Sequence, residues 1–218
     1  MVDFEQARLN MINSQIRPCD VKDPLVLQAI LGVPRELYVA PGKEAYAYID
    51  QNVLLSDGAD KRFMLQPMVI SRMIQALEVA PGDKVLDVAC GYGYSSAVMA
   101  GIGAEVVALE ADEALAEGAR EKLSSHKNVS VVTGDLVTGG AKYGPYDAIL
   151  VNGAVAELPE ELLKQLKDGG RLVAIQSEGA VSRVVLHTRS GDAFGRLEII
   201  DASAPILQAF HKDSAFVF

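Results

Sequence analysis

The sequence predicts a doubly wound α/β fold with a mainly parallel sheet, on three observations. From residue 81 onward, short β-rich runs alternate with helical patterns, beginning at "KVLDVA" (84–89) and ending at "GRLVAIQ" (170–176), the rhythm of βαβ units. Those runs are apolar on successive residues rather than alternate ones, as strands covered on both faces are. The first of them closes on an acid and opens through small residues, "DVACGYGYSS" (87–96). Open α/β sheets place their ligands in such a position, beyond the carboxyl ends of the strands.

Taken in order, the chain begins with apolar residues at helical spacing over Phe4–Ile16 and Pro24–Leu31, which predicts an N-terminal helical layer. "VPRELYVAPG" breaks that pattern at Pro34 and Pro41, and 45–63 is irregular, with "SDGADK" an exposed turn. Pro67 opens a helix to Leu77, with Met68, Ile70, Met73, Ile74 and Leu77 on its apolar face. After "KVLDVA" come a helix near 94–101, a strand at 105–110, a helix near 112–123 and strands at 129–134 and 146–152. A helix over Pro159–Lys167 precedes "GRLVAIQ". "SRVVLHT" and "RLEII", separated by "RSGDAFG", predict a C-terminal antiparallel hairpin. One domain over 1–218 follows, with 1–80 an N-terminal helical, substrate-side segment, 81–178 a cofactor-binding α/β core and 179–218 the hairpin region.

The net charge of −9 over 218 residues argues against a broad nucleic-acid surface. "MVDFEQARLN" carries acids and no apolar signal core, and no run reaches the ~18 apolar residues of a membrane span. Cys19 and Cys90 lack metal-type or CxxC spacing, which fits reduced thiols in a cytoplasm; no metal site is expected. Cys90, inside the glycine loop, reads as a small apolar filler.

The loop favours one nucleoside cofactor over another. A dinucleotide site wants G-x-G-x-x-G, and Gly91-Tyr92-Gly93-Tyr94-Ser95-Ser96 lacks the third glycine. Asp87 would repel a diphosphate, whereas S-adenosylmethionine carries a sulfonium and an ammonium that an acid attracts. Glu110, at the end of the next strand, suits a ribose diol. Asp135, after the third strand, is placed to accept from an adenine amine. A single acid at a strand end is commonly a cap, but three after three successive strands point to S-adenosylmethionine.

With these residues in place, the chain resembles the class I methyltransferases, whose fold is Rossmann-like, and among them the protein-L-isoaspartate O-methyltransferases. "NSQIRPCDVKDPLVLQAILGVPRELYVAP" (13–41), Gln66–Pro67, "PGDKVLDVACGYGYSSAVMA" (81–100), "PYDAILVNGA" (145–154) and "LLKQLKDGGRLV" (162–173) carry the resemblance. It implies repair of damaged proteins, by methyl transfer from S-adenosylmethionine to the carboxylate of isoaspartyl residues in a protein or peptide. The cofactor site it implies comprises Asp87, Ala89, Cys90, Gly91, Gly93, Glu110, Ala111, Asp135, Leu136 and Asn152. A carboxylate of pKa ~4 is ionised at neutral pH and needs no general base, so the absence of a Ser-His-Asp pattern around His126, His187 and His211 is compatible with that acceptor.

The sequence departs from the family where the acceptor binds. Family members carry a "GQTISQP"-like stretch, and this chain reads "KRFMLQP" (61–67). Leu65 stands at the serine associated with the substrate carboxylate and Phe63 at the threonine, and neither side chain donates a hydrogen bond. Such a loss typically costs roughly 1.5–3 kcal/mol. Ala89 stands at the first loop glycine, a change that works if φ there is negative. Leu136 replaces a usual glycine, and "VNGA" puts Asn152 at the substrate rim. Ser56, Arg62, Phe63, Met64, Leu65 and Gln66 are therefore the substrate-side candidates, with Arg62 able to clamp a carboxylate at two points. Two alternatives accompany the isoaspartyl acceptor: a small-molecule acceptor on the same scaffold, and a catalytically silent S-adenosylmethionine-binding protein. The catalytic residue and the oligomeric state are not assigned by the sequence.

Overall fold

The computed structural model describes residues 3–58 and 60–211. Helix α1 (Phe4–Met11) is capped by Asp3, whose carboxylate accepts from the Gln6 amide, and continues through a wider turn over Ile12–Ile16 that buries Ile12 and Ile16. Helix α2 (Pro24–Gly32) starts on Pro24, with the Asp23 side chain accepting from the Leu25 and Val26 amides. In both, an acid fills the orphan donors of a first turn.

The segment expected to be irregular holds two short strands, β1 (Val53–Ser56) and β2 (Arg62–Met64), paired antiparallel as a ribbon with Val53 opposite Met64. Strands of four and three residues are too short for their alternation to stand out in the sequence. Helix α3 (Pro67–Leu77) has the expected bounds and stops where Glu78 turns left-handed at φ 49°.

From β3 (Lys84–Val88) the chain passes through α4 (Tyr94–Ile102), β4 (Glu105–Glu110), α5 (Glu113–Lys122) and β5 (Val129–Thr133). It then forms β6 (Tyr146–Val155), α6 (Glu160–Leu163), β7 (Leu166–Glu178), β8 (Val181–Ser190) and β9 (Ala193–Asp201). The main sheet has the order β5-β4-β3-β6-β7-β8-β9, parallel through β7 and antiparallel beyond it. The winding reverses between β3 and β6, which opens a crevice at their carboxyl ends. Alternate residues of the central strands feed opposite layers. Val85 and Leu150 join α3 and α4 on one face, and Leu86, Val88 and Ile149 meet Tyr146, Leu162 and Phe210 on the other. The N-terminal layer packs closely because Gly101 of α4 lies against Ala29 of α2, 3.5 Å from where a Cβ would stand.

Two boundaries differ from expectation. The helix expected over Pro159–Lys167 is α6 alone, because Leu166 already pairs with Tyr146 and the Tyr146 amide donates to the Gln165 carbonyl at 2.9 Å. The apolar residues Leu162, Leu163 and Leu166 share helical spacing, yet the last belongs to a strand. In the C-terminal hairpin, residues of "RSGDAFG" extend both strands, and the reversal occurs at Gly191–Asp192. Residues 212–218 of the expected hairpin region lie outside the described residues.

Candidate functional site

The crevice is built where β3, β4 and β6 end. Asp87 is the penultimate residue of β3, and the loop Ala89–Gly93 carries the chain into α4. The loop is folded by Cys90 N donating to Leu109 O at 3.1 Å and Gly93 N to Cys90 O at 2.9 Å. Gly91 and Gly93 adopt φ 58° and 91°. Ala89 has φ 63°, so the negative φ under which an alanine replaces the loop glycine without strain is not met. This left-handed alanine costs about 1–2 kcal/mol, so Ala89→Gly is expected to raise stability by about 0.5–1 kcal/mol in chemical denaturation, glycine's greater unfolded-state entropy offsetting part of the gain.

Asp87 is fully buried. Ser95 Oγ donates to its Oδ2 at 2.7 Å, Ser96 Oγ donates to the same oxygen, and Asn152 Nδ2 donates to Oδ1 and to Ser95 Oγ. Burial nevertheless pushes the Asp87 carboxyl up to about 7 against the pull of these hydrogen bonds, with the nearby Glu110 carboxylate adding to the rise. Burial also drives the Cys90 thiol well above its ordinary value, with Asp87 and Glu110 reinforcing it. The thiol is therefore protonated and unreactive.

Glu110 has no exposed surface and every acceptor position in use. Its Oε1 accepts from the amides of Ala111 at 2.8 Å and Asp112 at 3.1 Å, and its Oε2 from Gly91 N at 2.8 Å. Arg62 completes the set, Nη1 to Oε1 and Nη2 to Oε2, both at 2.8 Å. Arg62 is not a solvated loop residue, and in this structure its two-point clamp is spent on Glu110: it is 2 % exposed and forms a buried ion pair with that carboxylate. A guanidinium taken this far from water needs such a partner.

The structure brings Asp87, Ala89, Cys90, Gly91, Gly93, Glu110, Ala111 and Asn152 together, with Phe63, Met64 and Leu65 of the ribbon end beside them. The Leu65 side chain is buried, and its carbonyl accepts from Arg35 Nη2 at 2.5 Å. Four candidates fall outside this set. Asp135 is exposed and accepts from Thr138 N at 2.7 Å, while Leu136 is buried in the core layer opposite α4. Ser56 lies where β1 meets Arg62 in register. Gln66 donates to Asp50 Oδ1 at 2.8 Å near the surface.

Sequence reasoning missed Ser95, Ser96, Leu55 and Arg35. The two serines were legible, since hydroxyls in the first turn after a strand-end acid lie within its reach. Arg35 was not. It is fully buried, donates Nε to Ala47 O at 2.7 Å and lies 4.7 Å from the centre of the Tyr94 ring. Burial lowers the pKa of its guanidinium, an effect the Tyr94 hydroxyl partly opposes.

Two carboxylates, an amide and a loop of small residues suit the cationic and diol groups of a nucleoside. In this conformation the space is taken by the ribbon. Leu55 Cδ1 lies 2.7 Å from the position of a Cβ on Gly91. The cavity left between Tyr38, Leu55, Phe63, Cys90, Tyr94 and Asn152 is about 10 Å³, room for a single water. A larger hollow of about 670 Å³ lies elsewhere, lined by Lys84 and Glu105 at the amino ends of β3 and β4 and by Asn128.

The sequence profile of the protein-L-isoaspartate(D-aspartate) O-methyltransferase family (PCMT) matches residues 6–197. The chain is 39% identical over 165 residues to "Protein-L-isoaspartate O-methyltransferase 1" of Geotalea uraniireducens, covering 75% of this chain and 74% of that protein. A solved protein-L-isoaspartate O-methyltransferase superposes with a TM-score of 0.80 at 23% identity, over 93% of this chain and 65% of that one. A candidate protein-L-isoaspartate O-methyltransferase of Plasmodium falciparum, solved with S-adenosyl-L-homocysteine, gives 0.79 at 21% identity, over 96% and 100%. At these identities the two structures speak for the fold, and the matched profile together with the Geotalea relative establishes descent: the chain belongs to the protein-L-isoaspartate O-methyltransferase family.

Proposed function

We propose that the protein is an S-adenosylmethionine-dependent methyltransferase acting on the isoaspartyl carboxylate of damaged proteins or peptides. The observation that carries this reading is the pair of buried acids, Asp87 and Glu110, on either side of a small-residue loop at the switch point of a family member's sheet. Ionised Asp87, oriented by Ser95, Ser96 and Asn152, holds the cofactor's ammonium, and Glu110 takes its ribose diol. Ala89, Cys90, Gly91, Gly93 and Ala111 supply the close backbone, and Asp135, two residues past the Thr133 that pairs with Glu110, takes the adenine amine. The cofactor, when bound, supplies an activated methyl on a sulfonium. The protein's own task is to align a carboxylate with it and exclude water, because an ionised acceptor needs no proton removed. None of the three histidines is asked to act: His126 follows α5, His187 is in β8 and His211 lies past a short turn near the C-terminus.

On the acceptor side, Leu65, Met64 and Phe63 form an apolar wall, and that wall favours a second reading, a less polar small-molecule acceptor. The unpaired thiols of Cys19 and Cys90 support a reducing cytoplasm. No helix among the described residues is long and apolar enough to cross a membrane.

Methyl transfer to an isoaspartyl peptide, with the aspartyl isomer as control, tests the reading. Wild type is expected to methylate the isoaspartyl form alone, and Leu65→Ser to be about 10-fold faster if the new hydroxyl reaches the carboxylate. Two inactive proteins beside a methylated metabolite extract would replace the peptide acceptor with a small one.

A further inference from the structure

We propose that Arg62 is an internal latch that sets cofactor affinity: its guanidinium holds Glu110 where a ribose diol would, so the β1–β2 ribbon shuts the crevice until that pair parts. The inference rests on the cofactor reading above and extends it to a residue outside the loop.

Glu110 receives two kinds of donor. The amides of Gly91, Ala111 and Asp112 belong to the walls of the crevice and stay with the carboxylate whatever else binds. The two N–H groups of Arg62 arrive from a separate element. A guanidinium and a cis-diol each present two parallel donors to the two oxygens of a carboxylate, so one replaces the other on Glu110 without leaving it unpaired.

The ribbon is built to swing. Its strands are four and three residues long, too short to be stable alone. Its base is fixed, because Gln66 N donates to Asn52 Oδ1 at 2.8 Å and Arg35 grips the Leu65 carbonyl. Its tip is at the surface, where Lys61 pairs with Asp57 at 2.9 Å with both side chains largely exposed. Between base and tip, Arg62 on Glu110 and Leu55 on Gly91 press the ribbon onto the crevice. Arg62 also has a second acid within reach on its own ribbon, Asp60 Oδ2 at 3.7 Å from Nη1. When the ribbon lifts, Asp60 gives up the Gln208 amide, from which its Oδ1 accepts at 3.2 Å, and leaves with the guanidinium beside it. That provides two discrete arrangements, and a ligand that binds only the open one is weakened by the closed fraction.

Calorimetry with S-adenosylmethionine and S-adenosylhomocysteine, together with hydrogen exchange over residues 53–64, tests the latch on wild type, Arg62→Gln and Arg62→Lys. Arg62→Gln is expected to bind at least 10-fold more tightly than wild type, about 1.4 kcal/mol, and to exchange its ribbon amides faster before any ligand is added. Arg62→Lys keeps the charge without the two-point geometry and should fall between them, and it decides the matter if the glutamine variant does not fold. Unchanged affinity and unchanged ribbon protection in a folded variant would overturn the latch and leave the methyltransferase reading standing. Faster exchange with no binding by any of the three proteins would overturn the cofactor reading and the control of affinity with it, whatever the ribbon does.

Discussion

At pH 8 the Asp87→Asn variant unfolds at higher temperature than the wild type, and the gap closes as the pH is lowered toward 4. Burial holds the Asp87 carboxyl at about 7 in the folded protein, against an ordinary value of 3.8. Between those values the folded state keeps a proton that the unfolded state has released, so stability falls as pH rises through the window and levels off above about 7. The penalty at pH 8 is on the order of a few kcal/mol. The amide removes it while still accepting from Ser95 and Ser96, although Asn152 must turn its own amide to meet the new NH2 group. A net gain of about 1–3 kcal/mol remains, worth several degrees in a chain of this size. The same substitution should weaken S-adenosylmethionine binding 10-fold or more, and wild-type affinity should climb with pH up to about 7 as Asp87 ionises. Thermal unfolding and calorimetry at pH 5 and pH 8 check both halves. Equal destabilisation of the variant at the two pH values would mean that the serine and asparagine donors keep Asp87 ionised throughout. The residue proposed to hold the cofactor's ammonium thus weakens the empty fold, a common arrangement at binding sites.

What the sequence disclosed follows from the range over which each signal acts. The strand at 105–110 and helix α3 were found to the residue, the first from consecutive apolar side chains and the second from Pro67 followed by a regular apolar face. The strand-end acids were legible for the same reason, because their positions follow from where the strands stop. Their partners were not. Arg62 reaches Glu110 across 48 residues, and no local pattern announces that a loop arginine is buried. The strands of the ribbon that carries it are too short to show their alternation in the sequence. Residue type says nothing of φ at Ala89, whose left-handed backbone is fixed by the loop's hydrogen bonds to Leu109 and within itself. Composition and periodicity therefore located the crevice, and only the packing shows what fills it.

Gly93→Ala should destabilise the protein by about 3 kcal/mol, and a second substitution separates its two causes. Gly93 has φ 91°, which costs an alanine about 1–2 kcal/mol in backbone strain. A Cβ there would also collide with Cδ1 of Leu123, the buried residue that ends α5. Overpacking of this kind adds about 1–3 kcal/mol. Leu123→Ala by itself opens a cavity and costs about 2–5 kcal/mol. In the double variant the alanine methyl has space, so the collision disappears and Gly93→Ala adds only its backbone strain to the cost of the Leu123→Ala cavity. A double-mutant cycle in chemical denaturation should therefore return a favourable coupling of about 1–3 kcal/mol between positions 93 and 123. Zero coupling would assign the whole cost to the backbone. The coupling bears on binding because Gly93 closes the loop whose Gly91 amide faces Glu110. A Cβ that pushes the loop off α5 also turns that amide away, so Gly93→Ala should lose cofactor affinity and the double variant should recover part of it.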